Sequence, residues 1–195
     1  MPPSPATRDY QARQRQLRAL TYQDVIVVWP RLDMQRLDDS FPGFAAAVLA
    51  VVGVRSVQSV TLAREYWALV RRAAGLRAEM PAVDAAPVDT NLVAASLLSA
   101  SVVSVKKAMT AGRDLDLARR NALVNTLGVA DLAVEERART LIRAATDVDD
   151  DARGWTRAVS GGCDWCNSLA GPVLPASARM AAHPHCGCTP EPVFG

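Results

Sequence analysis

Apolar residues recur at helical spacing in the first part of the chain. From residue 7 to residue 29 the sequence is rich in helix-forming residues, with arginines between the apolar positions. These apolar positions lie three to five residues apart: Leu17, Leu20, Val25 and Val28. The spacing predicts an amphipathic helix. Pro30 should interrupt it, because proline lacks the N–H that an inner helical turn requires.

A second apolar stripe of helical period runs from Phe41 to Gly75. It begins near a Phe-Pro-Gly sequence that we expect to form a turn, and Gly75 is a candidate C-cap. Its most apolar part, residues 44–54, is well short of the ~20 residues that span a bilayer, so we expect a buried helix and no membrane partner. Residues 76–89 contain scattered prolines without periodicity and are predicted to be a loop or linker.

Three further helices are predicted before the composition changes. Asp89 or Thr90 can cap a helix that runs to about residue 111 and ends at Gly112. A shorter helix over residues 114–127 should stop at Gly128.

Asp131 is the predicted cap of the last of these helices. This helix has the clearest apolar face in the chain, formed by Val134, Ala138, Leu141, Ile142 and Ala145. An acidic run over residues 147–151 follows it and lacks the glycine and terminal glutamate of a calcium-binding EF-hand loop. We interpret this run as a solvated helix N-terminus. No strand alternation is evident before Val159.

Charge and composition narrow the classes of partner only slightly. The chain has 195 residues, is 50% hydrophobic and carries 22 basic and 20 acidic side chains. This balance implies neither nucleic acid nor an anionic membrane as an obligatory partner. The N-terminus lacks the basic and apolar segments of a signal peptide, so we expect a protein made in a reducing cytoplasm.

All four cysteines and both histidines lie close together near the C-terminus. The ligand pattern is Cys-x-x-Cys, a spacer with glycine and prolines, and then His-x-x-Cys-x-Cys: Cys163, Cys166, His183, Cys186 and Cys188. Two cysteines two residues apart can bind one ion from a tight turn, and a returning segment can complete a tetrahedron. The pattern predicts a structural zinc site.

The ligand set remains open at this stage because the pattern offers more donors than a tetrahedron needs. Cys163, Cys166 and His183 could be joined by either Cys186 or Cys188, or four cysteines could bind alone. His185 is a further candidate, and an exposed loop histidine is its simpler interpretation.

Three other interpretations of the cluster fit less well. Disulfides conflict with a reducing compartment. A thioredoxin-type role for the Cys-x-x-Cys sequence would need a βαβ setting that this helical chain does not provide. A catalytic metal would need an open coordination position and a nearby general base.

The predicted fold class is therefore mainly α, with extended or bundled helices followed by a small C-terminal zinc-binding module. The predicted regions are an N-terminal helical region (1–75), a linker (76–89), a second helical region (90–152) and the module (153–195). The module has few large apolar side chains, so the metal should supply much of its folding free energy.

The C-terminal residues resemble a known family. Gly154-Trp155-Thr156-Arg157, Cys163-Asp164-Trp165-Cys166, His183-Pro184-His185-Cys186-Gly187-Cys188 and Glu191-Pro192-Val193-Phe194 resemble the C-terminal signature of the MuF-like minor head proteins of tailed phages. The match covers about forty residues. Arg64-Glu65-Tyr66-Trp67 fits more weakly.

The resemblance implies a structural protein of the virion, located in the phage head or at the portal vertex. Its implied partners are the portal protein or the major capsid protein, and packaged DNA in some relatives; no small-molecule substrate is implied. Relatives in actinobacterial phages are often labelled capsid maturation proteases. A protease triad would need a free histidine, and a Ser-Lys dyad could draw only on Lys106 or Lys107. We therefore expect no enzyme activity.

A nucleic-acid-binding zinc protein is the other hypothesis. Arg153, Arg157 and Arg179 lie near the cysteine cluster in sequence and could contact phosphates. Ordinary surface charge is the simpler interpretation of these arginines.

Overall fold

The computed structural model describes residues 2–161 and 163–195 and is mostly helical, which confirms the predicted fold class. The elements, in chain order, are α1 (Pro5–Val28), α2 (Leu37–Ala73), α3 (Thr90–Leu98), α4 (Ser104–Thr110), α5 (Leu115–Val148), β1 (Ala152–Ala158), α6 (Asp164–Ser168) and β2 (Thr189–Phe194). Three long helices, α1, α2 and α5, pack together, and the segments after α5 lie against them.

Helix α1 begins two residues earlier than predicted and ends just before Pro30, as predicted. The Ser4 side chain accepts a hydrogen bond from the Thr7 backbone N–H and caps the helix. At the other end the α-helix gives way to a 3-10 turn, Trp29–Arg31, that contains Pro30. The missing proline N–H is tolerated there because the first N–H groups of a new turn have no partner inside it.

Helix α2 starts earlier than predicted, and the expected Phe-Pro-Gly turn is wrong. Pro42 lies inside the helix, one turn after its start at Leu37. Its fixed φ suits a helix, and near the start its ring removes only one backbone hydrogen bond. The predicted C-cap is confirmed: Gly75 has a φ of 76°, and the backbone N–H of Leu76 bonds to the carbonyl of Arg71 at 2.9 Å.

The linker after α2 has no helix or strand, as predicted, but it is fixed to the helices. The guanidinium of Arg71 donates to the Arg77 carbonyl at 2.6 Å, and that of Arg64 donates to the Val83 carbonyl at 3.1 Å. Met80 and Val83 pack on the apolar cluster around Trp67. The segment therefore follows a defined path across the helical body.

The predicted helix over residues 90–111 is present with one irregularity. Asp89 caps it by accepting the Leu92 backbone N–H at 2.9 Å, and it ends before Gly112, whose φ is 69°. Between α3 and α4 the backbone forms a π-helical turn, Ser99–Val103. Nothing in the spacing of apolar residues indicates this turn.

Helix α5 is one continuous helix of 34 residues, so the predicted stop at Gly128 is wrong. Asp114, the predicted start of the shorter helix, caps α5. Asp131 caps nothing: its side chain is buried and pairs with Arg18 of α1. A glycine inside a helix costs only about 1 kcal/mol, which packing on both sides of α5 can offset. Gly128 has another role, because Pro184 and His185 of the C-terminal segment lie directly over it.

Two apolar clusters run through the helical body. The first includes Val25, Phe44, Val52, Leu97 and Val134, and the second includes Tyr10, Tyr66, Trp67, Leu141 and Ile142. Each cluster joins residues from before and after the linker. Helix α2 and the stretch Thr90–Thr110 are apolar and long enough to cross a membrane by length and composition alone. Here both contribute buried side chains to the shared core.

The C-terminal part contains a strand that the sequence did not predict. Strand β1 lies before Val159 and pairs with β2 in an antiparallel register that places Trp155 opposite Pro192. Because most of β1 pairs with only one partner strand and packs on the helices, its residues show no simple alternation. Trp155 is fully buried at the centre of the module.

The acidic run does not form a helix N-terminus, so that interpretation is also wrong. It lies at the C-terminal end of α5 and in the turn into β1. Two of its carboxylates, Asp149 and Asp151, pair with the guanidinium of Arg71 from α2. The run therefore helps to fix the start of the hairpin against α2.

Gly128→Ala tests the close approach of the C-terminal segment to α5. A Cβ at this position would lie 2.8 Å from Pro184 Cβ, so the segment would have to move. We expect a loss of about 1–3 kcal/mol in the free energy of unfolding, measured by denaturant unfolding.

Gly53→Ala is the matched control, because a Cβ at Gly53 in helix α2 would meet nothing within 4 Å. It should stabilise the protein by about 0.5–1 kcal/mol. Equal stabilisation by both substitutions would contradict the proposed contact.

Candidate metal centre

The two N-terminal cysteines of the cluster lie on one short helical turn. Cys163 occupies the N-cap position of α6, and Cys166 lies within that helix. The Asn167 backbone N–H closes the turn on the Cys163 carbonyl at 2.9 Å. Both thiols are thereby directed to the same side, as a Cys-x-x-Cys sequence permits.

The remaining candidate ligands return on the segment before β2. The Cys186 backbone N–H bonds to the His183 carbonyl at 3.0 Å, which forms a second tight turn. His185 inside this turn has a φ of 62°, a left-handed conformation that non-glycine residues rarely adopt. The turn directs the side chains of His183 and Cys186 toward the first pair of cysteines.

The distances between donor atoms suit a tetrahedral ion. The His183 Nε2 atom lies 3.4 Å from Cys163 Sγ and 3.3 Å from Cys166 Sγ, and the Sγ atoms of Cys166 and Cys186 are 3.8 Å apart. A tetrahedral ion with bonds of about 2.3 Å to sulfur separates two sulfurs by about 3.8 Å, and a sulfur from a nitrogen by about 3.5 Å. The observed spacings are therefore those of a ligand shell.

All five predicted ligands are brought together in the structure. They form two overlapping groups, Cys163–Cys166–His183 and Cys166–Cys186–Cys188, and within each group the donor atoms lie within 4.8 Å of one another. Cys166 belongs to both and is buried. The cluster can thus bind a metal ion, with Cys166 at its centre.

None of the four cysteines forms a disulfide. The Sγ atoms of Cys166 and Cys186 are much farther apart than the about 2.05 Å of a disulfide bond. The observed separation matches neighbouring ligands of one ion instead.

His185, the sixth candidate, faces away from the cluster. Its Nδ1 atom hydrogen-bonds the hydroxyl of Tyr22 on α1, and the two rings meet edge to face. The imidazole also lies over Gly128 of α5. His185 therefore helps to attach the ligand segment to the helices and does not belong to either group of candidate ligands.

The surroundings of the cluster favour thiolates at two positions. A hydrogen bond from the Cys188 thiol lowers the pKa of Cys186 to about 4, although burial opposes the shift, and the charge of Arg139 contributes. The backbone N–H of Cys166 lowers the pKa of Cys163. Burial raises the pKa of Cys166 to about 11, so this central thiol would ionise only with help from a bound cation.

The ligand segment, residues 183–188, is bound to helix α5 by a buried arginine of that helix. Arg139 is 3% exposed, and its Nε donates to the Cys188 carbonyl at 3.1 Å. One Nη of the same guanidinium donates to the Cys186 carbonyl and to the carboxylate of Glu135. A single buried side chain thus binds the backbone of two candidate ligands.

The charge of Arg139 is balanced by a network that reaches α1. Arg18 donates to Glu135 Oε1 at 2.6 Å and to Asp131 Oδ1 at 2.8 Å. Two buried carboxylates therefore lie between two guanidinium groups. Burial raises the pKa of Glu135 to about 7, and the attraction of Arg139 is the strongest effect that opposes this shift.

Sequence reasoning missed this network. Asp131, Glu135 and Arg139 recur at intervals of four residues, which places them along one stripe of α5 beside its apolar face. Such a stripe also suits a solvent-exposed surface. Only its contact with α1 and the cysteine segment distinguishes the two cases.

The three arginines proposed as nucleic-acid contacts differ in their exposure. Arg153 and Arg179 are exposed. Arg157 is buried: its guanidinium donates to the Ala181 carbonyl at 2.5 Å and lies over the Trp165 ring. Arg157 is therefore a structural residue of the module and is not available to a phosphate backbone.

The fold and the site define a class: mostly helical proteins with a C-terminal Cys/His cluster that can bind a metal ion. The model of the VG15 protein family matches residues 1–195, so the chain belongs to this family of viral proteins. No curated protein and no solved structure matches the chain significantly.

The two histidines provide a matched test of the metal centre. His183→Ala removes a candidate ligand and should reduce the metal content of the purified protein strongly. His185→Ala removes only the contacts with α1 and α5 and should leave the metal content close to that of the parent protein. Elemental analysis after dialysis measures both, and equal metal loss from the two variants would contradict this assignment.

Proposed function

We propose that this protein is a structural minor head protein of a tailed phage and that one structural zinc ion holds its C-terminal module together. The observation that carries the proposal is that the separate stretches resembling MuF-like proteins form one unit. The first lies in β1, the second is the Cys-x-x-Cys turn, the third is the His-Pro-x-Cys-x-Cys segment, and the last lies in β2.

The membership in a viral protein family supports this proposal at a coarser level. Residues that are far apart in sequence but shared with a family signature are expected to meet when the signature encodes a folded module. Here they enclose a small core of Trp155, Met180 and the buried cysteines. A module of this size lacks the apolar area to fold alone, and a metal supplies the missing stability.

Zinc is the metal that the donor set suits best. Thiolates with one imidazole in tetrahedral spacing are typical of structural zinc, whereas carboxylate and carbonyl oxygens suit magnesium or calcium. A shell closed by four protein ligands has no position for a substrate or a reactive water. A role in folding is therefore favoured over catalysis.

We assign Cys163, Cys166, His183 and Cys186 as the four ligands. Three of the six separations among their donor atoms match edges of a tetrahedron. Cys186 joins this set through Cys166 and lies outside the Cys163–Cys166–His183 group. Cys188 lies next to this set, within 4.8 Å of Cys166 and Cys186. The neighbouring Cys188 thiol lowers the pKa of Cys186, which favours the thiolate form that binds a metal.

Matched cysteine substitutions test this ligand set. The parent protein should contain about one zinc per chain. Cys186→Ser should lose most of that zinc, whereas Cys188→Ser should retain it with a weakened affinity because it removes a neighbouring thiol and none of the four assigned ligands. Zinc content and chelator competition measure the two effects; the reverse pattern would assign Cys188 as the fourth ligand instead.

The environment of the lysines supports a structural role over a protease. Lys106 is exposed and pairs with Asp38 of α2 at 2.6 Å, and Lys107 is also exposed. A Ser-Lys dyad needs a lysine whose pKa burial lowers, so that it can accept a proton. Both histidines are engaged in the contacts of the metal module.

The proposed assembly partners are the portal protein or the major capsid protein. Exposed apolar side chains are available to them on the long helices: Val27 on α1 and Val54 and Val57 on α2 are each more than half exposed. Single exposed apolar side chains are also common on ordinary protein surfaces, so the proposal does not rest on them. Contact with packaged DNA would rely on exposed arginines, of which Arg153 and Arg179 belong to the module.

Analysis of particles tests the proposed function directly. Quantitative mass spectrometry of purified virions should detect the protein at few copies relative to the major capsid protein. A nonsense mutation in its gene should reduce the yield of infectious particles, and expression of the protein in trans should restore it. Absence from virions together with normal particle yield would refute the proposal, and an unprocessed major capsid protein in the mutant would favour the protease alternative.

A further inference from the structure

We propose that Arg139 is a positioning residue for the metal site, which makes metal binding and docking of the C-terminal module on the helices one coupled event. The inference rests on the zinc site proposed above. In this proposal a residue of the helical body increases the affinity of the site for metal. Arg139 lies about fifty positions before the ligand segment in the sequence.

The contacts of Arg139 are with the ligand segment itself. Its guanidinium bonds the carbonyls of Cys186 and Cys188, on either side of Gly187. A Cβ on Gly187 would lie 2.7 Å from Ser160 Oγ and 3.6 Å from an Nη of Arg18, so the segment is closely packed at this glycine as well. The backbone between these two cysteines is therefore fixed by the Arg139 guanidinium and by close packing.

Holding a carbonyl also fixes the sulfur of the same residue. The Cys186 Sγ and its carbonyl oxygen share one Cα, so displacement of this backbone would move the sulfur away from its place 3.8 Å from Cys166 Sγ. Groups that orient metal ligands in this way usually change metal affinity about 10- to 100-fold. The charge is also suitable, because three thiolates around a divalent cation leave about one negative charge beside the guanidinium.

Other contacts between the module and the helices do not reach the ligand backbone. The Gln11 side chain donates to the Ala158 carbonyl of β1 at 3.0 Å, and the Phe194 ring of β2 meets Trp67 edge to face. Tyr22 binds the side chain of His185. Among the contacts that the described helices make with the module, it is the charged guanidinium of Arg139 that bonds the backbone of a candidate ligand.

The coupling should work in both directions. If the helical body improves metal affinity through Arg139, then bound metal must stabilise the docked state by the same factor. The Glu135–Arg18 contact extends the effect to α1. Metal removal should therefore loosen the contact between α1, α5 and the ligand segment, beyond the module itself.

A charge-balanced double variant tests the proposal without leaving a buried carboxylate unpaired. Glu135→Gln with Arg139→Met removes one charge of each sign, and the glutamine oxygen can still accept from Arg18. Arg139→Lys is the second variant: it keeps the charge, but a lysine ammonium cannot span two carbonyls as the planar guanidinium does.

Arg137→Met is the matched control. Arg137 lies on the same helix and bonds the Ala86 carbonyl at 3.0 Å and the Ser56 hydroxyl, so it fixes the linker and not the ligand segment. This variant measures how much zinc affinity changes when α5 loses an arginine that stabilises the fold away from the ligand segment.

Zinc affinity of the full-length proteins, measured by chelator competition, should fall at least about tenfold in the double variant. A smaller loss is expected in Arg139→Lys, and Arg137→Met should stay within about twofold of the parent protein. The absorption spectrum of the cobalt-substituted proteins should change in the double variant only, because it reports the geometry of the thiolate ligands. Amide exchange along α5 near Gly128 should increase on zinc removal in the parent protein, and less so in the double variant.

The outcomes separate this proposal from the zinc site itself. If the parent protein binds zinc and the double variant binds it equally well, Arg139 has no positioning role while the zinc site stands. An equal loss of affinity in Arg137→Met would mean that general destabilisation is the cause, and would also overturn the inference. If the parent protein binds no zinc, both proposals fail.

Discussion

A buried guanidinium requires both a counter-charge and carbonyl acceptors, and much of this structure is arranged around that requirement. Arg139 finds its counter-charge in Glu135 on the same helix and its acceptors in the cysteine segment. Burying either partner alone would cost several kcal/mol. The module therefore supplies hydrogen-bond acceptors to a guanidinium of the helical body, and this guanidinium fixes the backbone of the ligand segment in return.

The same region explains features that are unusual in isolation. A glycine persists in the middle of α5 because the ligand segment passes too close for a side chain. His185 adopts a left-handed conformation in the turn that brings His183 to the two cysteines, and its ring bonds Tyr22 of α1. The hydrogen bonds and burial of the docked arrangement offset the local conformational cost at each position.

The clustering of the candidate metal ligands was largely predictable from the sequence, but the residues that hold the cluster against the helices were not. The spacing of Cys163, Cys166 and His183 limits how these donors can meet, so the pattern alone indicates a shared ion. Arg139, Glu135 and Arg18 carry no such spacing rule, because each is an ordinary helical residue until a distant segment packs on it. The same reason applies to Arg157, which resembles a surface arginine in sequence but is buried, with its guanidinium over the Trp165 ring.

The sequence by itself determined the helical class, the cap at Asp89 and the collection of the candidate metal ligands in one segment, since these depend on local spacing and short-range hydrogen bonds. Tertiary structure alone decided that α5 continues through Gly128, that residues 152–158 form a strand, and that His185 turns away from the cluster. Those features depend on close approach between segments far apart in the chain. Packing, pairing and buried charge then outweigh the small local preferences that a sequence displays.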